Sequence, residues 1–264
     1  MSYIKFGSGS KPLLAFHGFG QNATRLKPLF ESHSLHTVYA FDLFLHGESR
    51  MPDADKGTRP LKPEELRDIF EAFFKRENIE EFDAFGFSLG AKTVLQLLWF
   101  FPEKARNIHL AAPDGFKLNP WYFFVVHTRT GSGIFKFLLA NPSLFNFLLG
   151  IINKLYIPNK KTSKFVVQSL NTQPKRNFVY NVWTAYKALS VDTGLLAGMV
   201  LTKNHIKIHQ YYGEYDTIIS QKPGRKFAEQ INQSTRVHVV HSGHNLLFGS
   251  GLKALSEELK KHLN

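Results

Sequence analysis

Short apolar segments alternate with longer helical patterns along the first half of this 264-residue chain, and that alternation restricts its fold more than any other feature. The strand-like segments are residues 4–6, 13–16, 37–41, 82–87 and 108–112. Helical periodicity between them is clearest at residues 64–79 and 91–101, and the glycine-rich residues 7–10 indicate a hairpin turn. Because parallel strands need long, usually helical connections, the pattern predicts an α/β fold with a mainly parallel central sheet flanked by helices.

Residues 115–200 differ in texture from the rest of the chain, because they are aromatic, basic and helical in pattern. Strand-like segments return beyond them, at residues 206–212 and 236–241. We therefore predict a core formed by residues 1–114 and 201–264, into which residues 115–200 are inserted as a helical cap, or lid.

The excess of positive charge is concentrated in the same segment. The chain carries 33 Lys and Arg against 21 Asp and Glu, a net charge of +12. Residues 115–200 hold ten of the basic residues and a single acid, Asp192, which gives that segment a net charge of +9. Such a field attracts anionic substrates, anionic lipid surfaces or nucleic acid, although a solvated basic face is the simpler explanation. We expect a small-molecule substrate, anionic or acyl, with peripheral membrane contact through the cap as an option; no nucleic-acid partner is expected, since no reader motif is recognisable.

The composition excludes several kinds of chemistry. There is no cysteine, so disulfides, thiolate metal sites and a cysteine nucleophile are ruled out. No segment approaches the roughly 18 uninterrupted apolar residues of a membrane-spanning helix, and the first residues lack the features of a signal peptide. We therefore expect a protein without a transmembrane segment that is located in the cytoplasm.

A glycine-flanked serine lies between a predicted strand and a predicted helix, in the segment Gly86–Gly90 with the sequence Gly-Phe-Ser-Leu-Gly. A nucleophile on such a sharp turn needs small neighbours, because the backbone of Ser88 is strained and other chain segments pass close by. Leu89 then begins the helix, where its N–H faces a developing oxyanion. One alternative is a glycine turn with an incidental serine. The other is a phosphate-binding loop, which residues 86–93 match except that Ala91 replaces its second glycine.

Two further loops follow predicted strands. His17-Gly18-Phe19-Gly20 lies where an enzyme with a serine nucleophile on such a turn would place a second oxyanion donor. The Phe19 N–H is our candidate to act beside the Leu89 N–H. The alternative is a turn with a buried histidine. Residues 42–49, with the sequence Asp-Leu-Phe-Leu-His-Gly-Glu-Ser, are expected to form a structural loop without a catalytic residue.

Taken in order, these motifs resemble the α/β-hydrolase family, in particular its lid-bearing serine esterase and C–C hydrolase branches. The family order is a His-Gly oxyanion loop, an aspartate–His-Gly-x-Ser loop, a nucleophile elbow, a helical cap, an acid after a late strand and a final histidine. This chain has all six over nearly its whole length. It departs from the pattern at Ala91, where a glycine often follows the elbow, and this concerns the start of the helix rather than the elbow.

The resemblance also implies the acid and the base. Asp216 closes a segment that resembles the family's Gly-x-x-Asp turn, and His244 lies in a segment that resembles its final Gly-His turn. The chain order of Ser88, Asp216 and His244 agrees with this fold. The rivals that the residues themselves leave open are Glu214 and Asp114 for the acid and His241 for the base.

A serine hydrolase is the function that the resemblance implies. Ser88 would attack a carboxylic ester or thioester, His244 would move the proton, and Asp216 would orient the imidazole. No cofactor and no metal ion are expected. A C–C bond hydrolase or a triad-dependent lyase fits the same motifs, and a catalytically silent relative that acts by binding a partner is the alternative from another class.

Overall fold

The computed structural model describes residues 1–31, 34–51, 53, 58–117, 120–155 and 170–263. In this part of the chain seven strands form one sheet in the order β1-β3-β2-β4-β5-β6-β7. The strands are β1 (Tyr3–Phe6), β2 (Lys11–Phe16), β3 (His36–Phe41), β4 (Phe82–Phe87), β5 (Ala105–Ala111), β6 (Lys207–Gly213) and β7 (Thr235–Val240). All neighbouring pairs are parallel except β1 with β3. The predicted α/β class with a mainly parallel sheet is confirmed.

The described residues also form helices. They are α1 (Lys27–Phe30), α2 (Pro63–Glu77), α3 (Leu89–Phe100), α4 (Pro120–His127), α5 (Arg129–Ala140), α6 (Pro142–Leu155), α7 (Gln173–Tyr186), α8 (Thr193–Leu201), α9 (Lys222–Gln230) and α10 (Gly249–Lys260). Helix α2 illustrates how the sequence sets the limits, since Pro63 opens it and Asn78 ends it in the left-handed conformation with φ of 54°. None of the helices in the described ranges combines the length and the apolar character that crossing a bilayer requires.

Helices pack on both faces of the sheet. On one face, Phe70 of α2 packs against Phe16 and Phe41, with ring centroids 5.7 and 5.1 Å apart. On the other face, Leu255 and Leu259 of α10 join one buried cluster with residues of β2 to β7. Because the central strand β4 is covered on both faces, all six of its residues are buried and its sequence shows no polar alternation.

The glycine-rich segment between β1 and β2 does not form the predicted hairpin. Strand β1 pairs with β3, which lies between β1 and β2. Gly7 has φ of 79°, and a Cβ on Gly9 would lie only 2.0 Å from the backbone of Leu35. The glycines therefore let the chain pass closely over the start of β3 and reach its far side, a pairing that the local turn signal does not encode.

The chain divides into two compact units. The first consists of Met1–Pro52, Lys62–Lys117 and Leu189–Asn264 and contains the sheet. The second consists of Asp53–Leu61 and Leu118–Ala188.

The described part of the second unit is helical and has a small core of its own. Its buried members are Val125, Val126, Phe135, Leu139 and Phe145. The predicted extent of the cap, residues 115–200, stays a prediction, because compactness alone does not say whether a unit covers a site. Several basic and aromatic residues that were assigned to the cap lie outside the described residues: Tyr156, Lys160, Lys161, Lys164 and Phe165.

Candidate active site

Ser88 stands on the sharp turn between β4 and α3. Its φ of 50° and ψ of −114° are strained for a residue with a side chain. A Cβ on Gly86 would lie 2.8 Å from the backbone at the start of α3, and one on Gly90 would lie 2.5 Å from the carbonyl oxygen of Phe16. The Ser88 N–H donates to the Ala111 carbonyl at 2.9 Å. The small neighbours therefore permit the tight turn, and the sheet holds the strained residue in place.

A hydroxyl, an imidazole and a carboxylate form a continuous chain of contacts here. Ser88 Oγ lies 3.2 Å from His244 Nε2, and His244 Nδ1 lies 2.8 Å from Asp216 Oδ2. The Asp216 side chain is only 1% exposed, and its other oxygen accepts the N–H groups of Ile218 and Ile219 at 2.8 and 2.9 Å. A carboxylate held in this way fixes the imidazole with its proton on Nδ1, so that Nε2 is able to accept the serine proton.

Two loops that follow neighbouring strands bring the acid and the histidine together. Gly213 ends β6, and a Cβ there would lie 2.3 Å from the carbonyl oxygen of Gly243. The Tyr215 N–H also donates to the Ser242 carbonyl at 2.9 Å. Since the carboxyl ends of parallel strands meet at one edge of a sheet, this close backbone contact places residues 216 and 244 side by side.

The rival residues have other partners. Glu214 lies 2.9 Å from His241 Nδ1 at the surface, where the histidine side chain is 80% exposed. Asp114 lies 3.5 Å from Nζ of Lys92, a buried side chain of α3. The structure therefore brings Asp216, rather than Glu214 or Asp114, to His244. The buried Lys92 is also unlike the lysine of a phosphate-binding loop, which reaches out to its ligand.

The two proposed oxyanion donors lie on adjacent segments. Leu89 is the first residue of α3, so its N–H has no acceptor within the helix. Phe19 follows β2, and a Cβ on Gly90 would lie 2.6 Å from the carbonyl oxygen of His17. The loop that carries Phe19 therefore runs directly beside the start of α3.

Residues 42–49 support this loop, a role that was not assigned from the sequence. The Gly20 N–H donates to His46 Nε2 at 3.0 Å, and the Leu43 N–H donates to His17 Nε2 at 3.1 Å. Burial lowers the pKa of His17 to about 4 and also lowers the pKa of His46. Both rings are therefore neutral at pH 7 and accept backbone protons, which ties the two loops together. The sequence signal was the histidine that begins each His-Gly pair.

Known proteins with similar sequence or structure share this architecture. A family model described as the alpha/beta hydrolase fold matches residues 11–135. A thermophilic esterase from Thermogutta terrifontis has a TM-score of 0.68 at 14% identity, over 99% of this chain and 92% of its own. A structure from a study of carboxylesterases of Nitrososphaera gargenis has a TM-score of 0.67 at 16% identity, over 99% and 94%. Est816, described as an N-acyl homoserine lactone degrading enzyme, has a TM-score of 0.63 at 16% identity, over 99% and 96%. No curated protein matches the sequence.

The chain has the α/β-hydrolase fold. The mostly parallel seven-stranded sheet and the turn from β4 into α3 are the features on which this fold assignment rests. At identities of 14 to 16%, the likeness to the solved structures extends to the fold alone. The reaction has to be argued from the side chains at the carboxyl edge of the sheet.

Proposed function

We propose that the protein hydrolyses carboxylic esters or thioesters, with Ser88 as the nucleophile, His244 as the general base and Asp216 as the orienting acid. The observation that carries the proposal is the pair of contacts from Ser88 Oγ to His244 Nε2 at 3.2 Å and from His244 Nδ1 to Asp216 Oδ2 at 2.8 Å. The likeness to structures described as esterases supports the same class of reaction.

The acylation half of the reaction forms a covalent intermediate. Ser88 Oγ attacks the carbonyl carbon while its proton passes to His244 Nε2, and the carbonyl electron pair moves to oxygen. The N–H groups of Phe19 and Leu89 hold that oxyanion. When the tetrahedral intermediate collapses, the leaving alcohol or thiol takes the proton from His244, and the acyl group remains on Ser88. Asp216 stays ionised and stabilises the imidazolium.

Water completes the cycle by the same route in reverse. His244 takes a proton from the water molecule as its oxygen attacks the acyl carbon. Collapse of the second tetrahedral intermediate breaks the bond to Ser88 Oγ, which recovers its proton from His244 and releases the carboxylic acid. No redox step or external co-reactant other than water is needed.

The substrates that we propose are esters or thioesters that carry a fatty acyl chain or an anionic group. The net charge of +9 over residues 115–200 supports the anionic preference. One of those cations has a structural role, because Arg176 is 2% exposed and donates to the carbonyl of Leu170. The test compares kcat/KM for matched neutral and carboxylated esters of several chain lengths at low and high salt. Equal values for the two esters would remove the preference for anions without affecting the reaction itself.

Labelling with a fluorophosphonate followed by peptide mass mapping tests the reaction. We expect wild-type protein to carry the label at Ser88, Ser88→Ala to carry none, and the matched control Ser220→Ala, an exposed serine near Asp216, to be labelled as fully as wild type. An unlabelled, folded wild-type protein would contradict the proposal and favour a silent relative that acts by binding.

A further inference from the structure

Three histidines meet on the sheet away from the edge that carries Ser88. His209 is the third residue of β6, His238 is the fourth residue of β7, and His262 follows the end of α10. Tyr211 lies opposite His238 in the parallel register, so the side chains of residues 209 and 238 project from the same face. That face is the one against which α10 packs. From His209 to the carboxyl end of β6 the strand extends about 13 Å.

The ring nitrogens are close to the spacing that a metal ion requires. His209 Nδ1 lies 3.2 Å from His238 Nε2, and one nitrogen from each of the three rings lies within 4.8 Å of the other two. Bonds of about 2.0–2.1 Å to a tetrahedral ion place ligand nitrogens about 3.3 Å apart. The rings lie against one another with centroids 4.5 to 5.4 Å apart. The torsion about the Cβ–Cγ bond of histidine is broad, so we expect the rings to turn about these bonds when an ion binds.

A carboxylate already orients one of the three rings. Glu258 Oε1 accepts from His238 Nδ1 at 3.0 Å, which leaves the lone pair of His238 Nε2 directed toward His209. A carboxylate behind a histidine ligand is the arrangement that orients imidazoles in protein metal sites. The same oxygen lies 3.6 Å from His262 Nε2, and Lys261 Nζ donates to the second oxygen at 2.6 Å. Glu258 therefore stays anionic and positioned next to the cluster.

We propose that His209, His238 and His262 bind a divalent transition-metal ion such as Zn²⁺, through one nitrogen of each ring, with Glu258 orienting His238. The side chains of His238 and His262 are 13% and 26% exposed, so the ion enters from solvent and water completes its coordination. His209 binds through Nδ1 and carries its proton on Nε2. The ion joins β6, β7 and the C-terminal end of α10, which makes the site structural.

This site departs from the expectation that the chain binds no metal. Its ligands are distributed from residue 209 to residue 262 without the short, regular spacing of a sequence motif. Only the register of β6 with β7 and the docking of α10 bring them together. The inference is independent of the proposed ester hydrolysis.

Metal titration of untagged, chelator-treated protein tests the site. We expect one Zn²⁺ to bind in calorimetry and one Co²⁺ to bind with a tetrahedral absorption band. His262→Gln should weaken binding by at least about 10-fold, and Glu258→Gln by about 10- to 100-fold. His241→Gln is the matched control, because His241 is also paired with a glutamate, at 2.9 Å, yet lies outside the cluster. It should bind as wild type does.

Thermal unfolding with and without Zn²⁺ provides a second measurement. A bound ion should raise the Tm of wild type and His241→Gln, and at the same Zn²⁺ concentration should raise that of His262→Gln by less. His262 lies beyond the last residue of α10, so its replacement should leave the sheet intact. Wild-type protein that binds no ion, or undiminished binding by both His262→Gln and His238→Gln, would overturn the proposal. Loss of esterase activity on chelation, in protein that circular dichroism shows to be still folded, would overturn the structural role.

Discussion

Two histidine–carboxylate pairs lie in different parts of the same sheet and differ in what faces the second ring nitrogen. At the carboxyl edge, His244 Nδ1 is 2.8 Å from Asp216, and its Nε2 faces a serine hydroxyl at 3.2 Å. On the α10 face, His238 Nδ1 is 3.0 Å from Glu258, and its Nε2 faces the Nδ1 of His209, also at 3.2 Å. The same tautomer thus presents a base to a proton donor in one place and a lone pair to a second imidazole in the other.

The two carboxylates also differ in how firmly they are held. Asp216 has a side chain that is 1% exposed and accepts two backbone N–H groups. Glu258 has a side chain that is 23% exposed, and its second oxygen is paired with the side chain of Lys261. A buried carboxylate that accepts hydrogen bonds from backbone amides suits a site whose geometry is preorganised for reaction. A more exposed carboxylate tolerates the ring rotations that metal binding requires.

The largest difference should appear when the histidine of each pair is replaced by glutamine in a separate variant. We expect His244→Gln to lower kcat for a p-nitrophenyl ester by roughly 10⁶-fold, because the serine loses its base. His238→Gln should leave kcat within about 2-fold, because it lies outside the triad; its expected defect is in metal binding. Steady-state kinetics on both purified variants measures the contrast. Comparable losses in the two variants would show that the pairs are not functionally distinct.

Replacing the two carboxylates by amides should give the next largest effect. Asp216→Asn should lower kcat by about 10⁴-fold, since the amide favours the wrong imidazole tautomer. Glu258→Gln should leave kcat unchanged. The measurement is kcat at pH 7, accompanied by circular dichroism to verify folding. Near-normal turnover by Asp216→Asn would eliminate Asp216 as the orienting acid.

The sequence predicted those parts of the site and of the fold whose signals are local or ordered along the chain. Ser88 was recognisable because its strand, turn and helix are contiguous, so residues 86–90 contain the whole local signal. Asp216 and His244 came from a resemblance, and their catalytic roles stay predictions. The mainly parallel sheet was predictable because alternating strands and helices leave few other topologies.

Features that depend on which strands become neighbours were not predictable. Residues 7–10 indicated a turn but not that β1 would pair with β3, because the partner is chosen by contacts distant in sequence. The cluster of His209, His238 and His262 has the same origin, since register and helix docking create it. The support that His46 gives to Gly20 likewise joins two loops that only the folded sheet brings together.

A further histidine at the carboxyl edge, the buried His17, should make the stability of the fold depend on pH. His17 donates from Nδ1 to the Gly18 carbonyl and accepts the Leu43 N–H at Nε2, and burial lowers its pKa to about 4 from a usual 6.5. Between these values the unfolded chain binds a proton that the folded chain excludes. The contribution of His17 to the free energy of unfolding is therefore complete above pH 6.5 and is lost as pH falls toward 4. The loss should reach about 2–3 kcal/mol at pH 4.5.

Denaturant unfolding of wild type and His17→Gln at pH 7 and pH 4.5 measures this contribution. The variant should be less stable than wild type at pH 7 but should lose about 2–3 kcal/mol less on acidification. The other buried histidines remain in both proteins, so the difference isolates His17. Parallel losses in the two proteins would mean that His17 is not excluded from protonation in the folded state.

The smallest expected effect concerns the backbone that brings Asp216 and His244 together. Gly213→Ala places a Cβ 2.3 Å from the Gly243 carbonyl oxygen and should separate the two loops. We expect a loss of about 1–3 kcal/mol in the free energy of unfolding, with a lower kcat. The control is Gly198→Ala in α8, where a Cβ meets nothing within 4 Å. It should stabilise by about 0.5–1 kcal/mol and leave kcat unchanged. Wild-type stability and wild-type kcat in Gly213→Ala would contradict this expectation. The distance between Asp216 and His244 would then depend on their own hydrogen bond rather than on the close approach of the two loops.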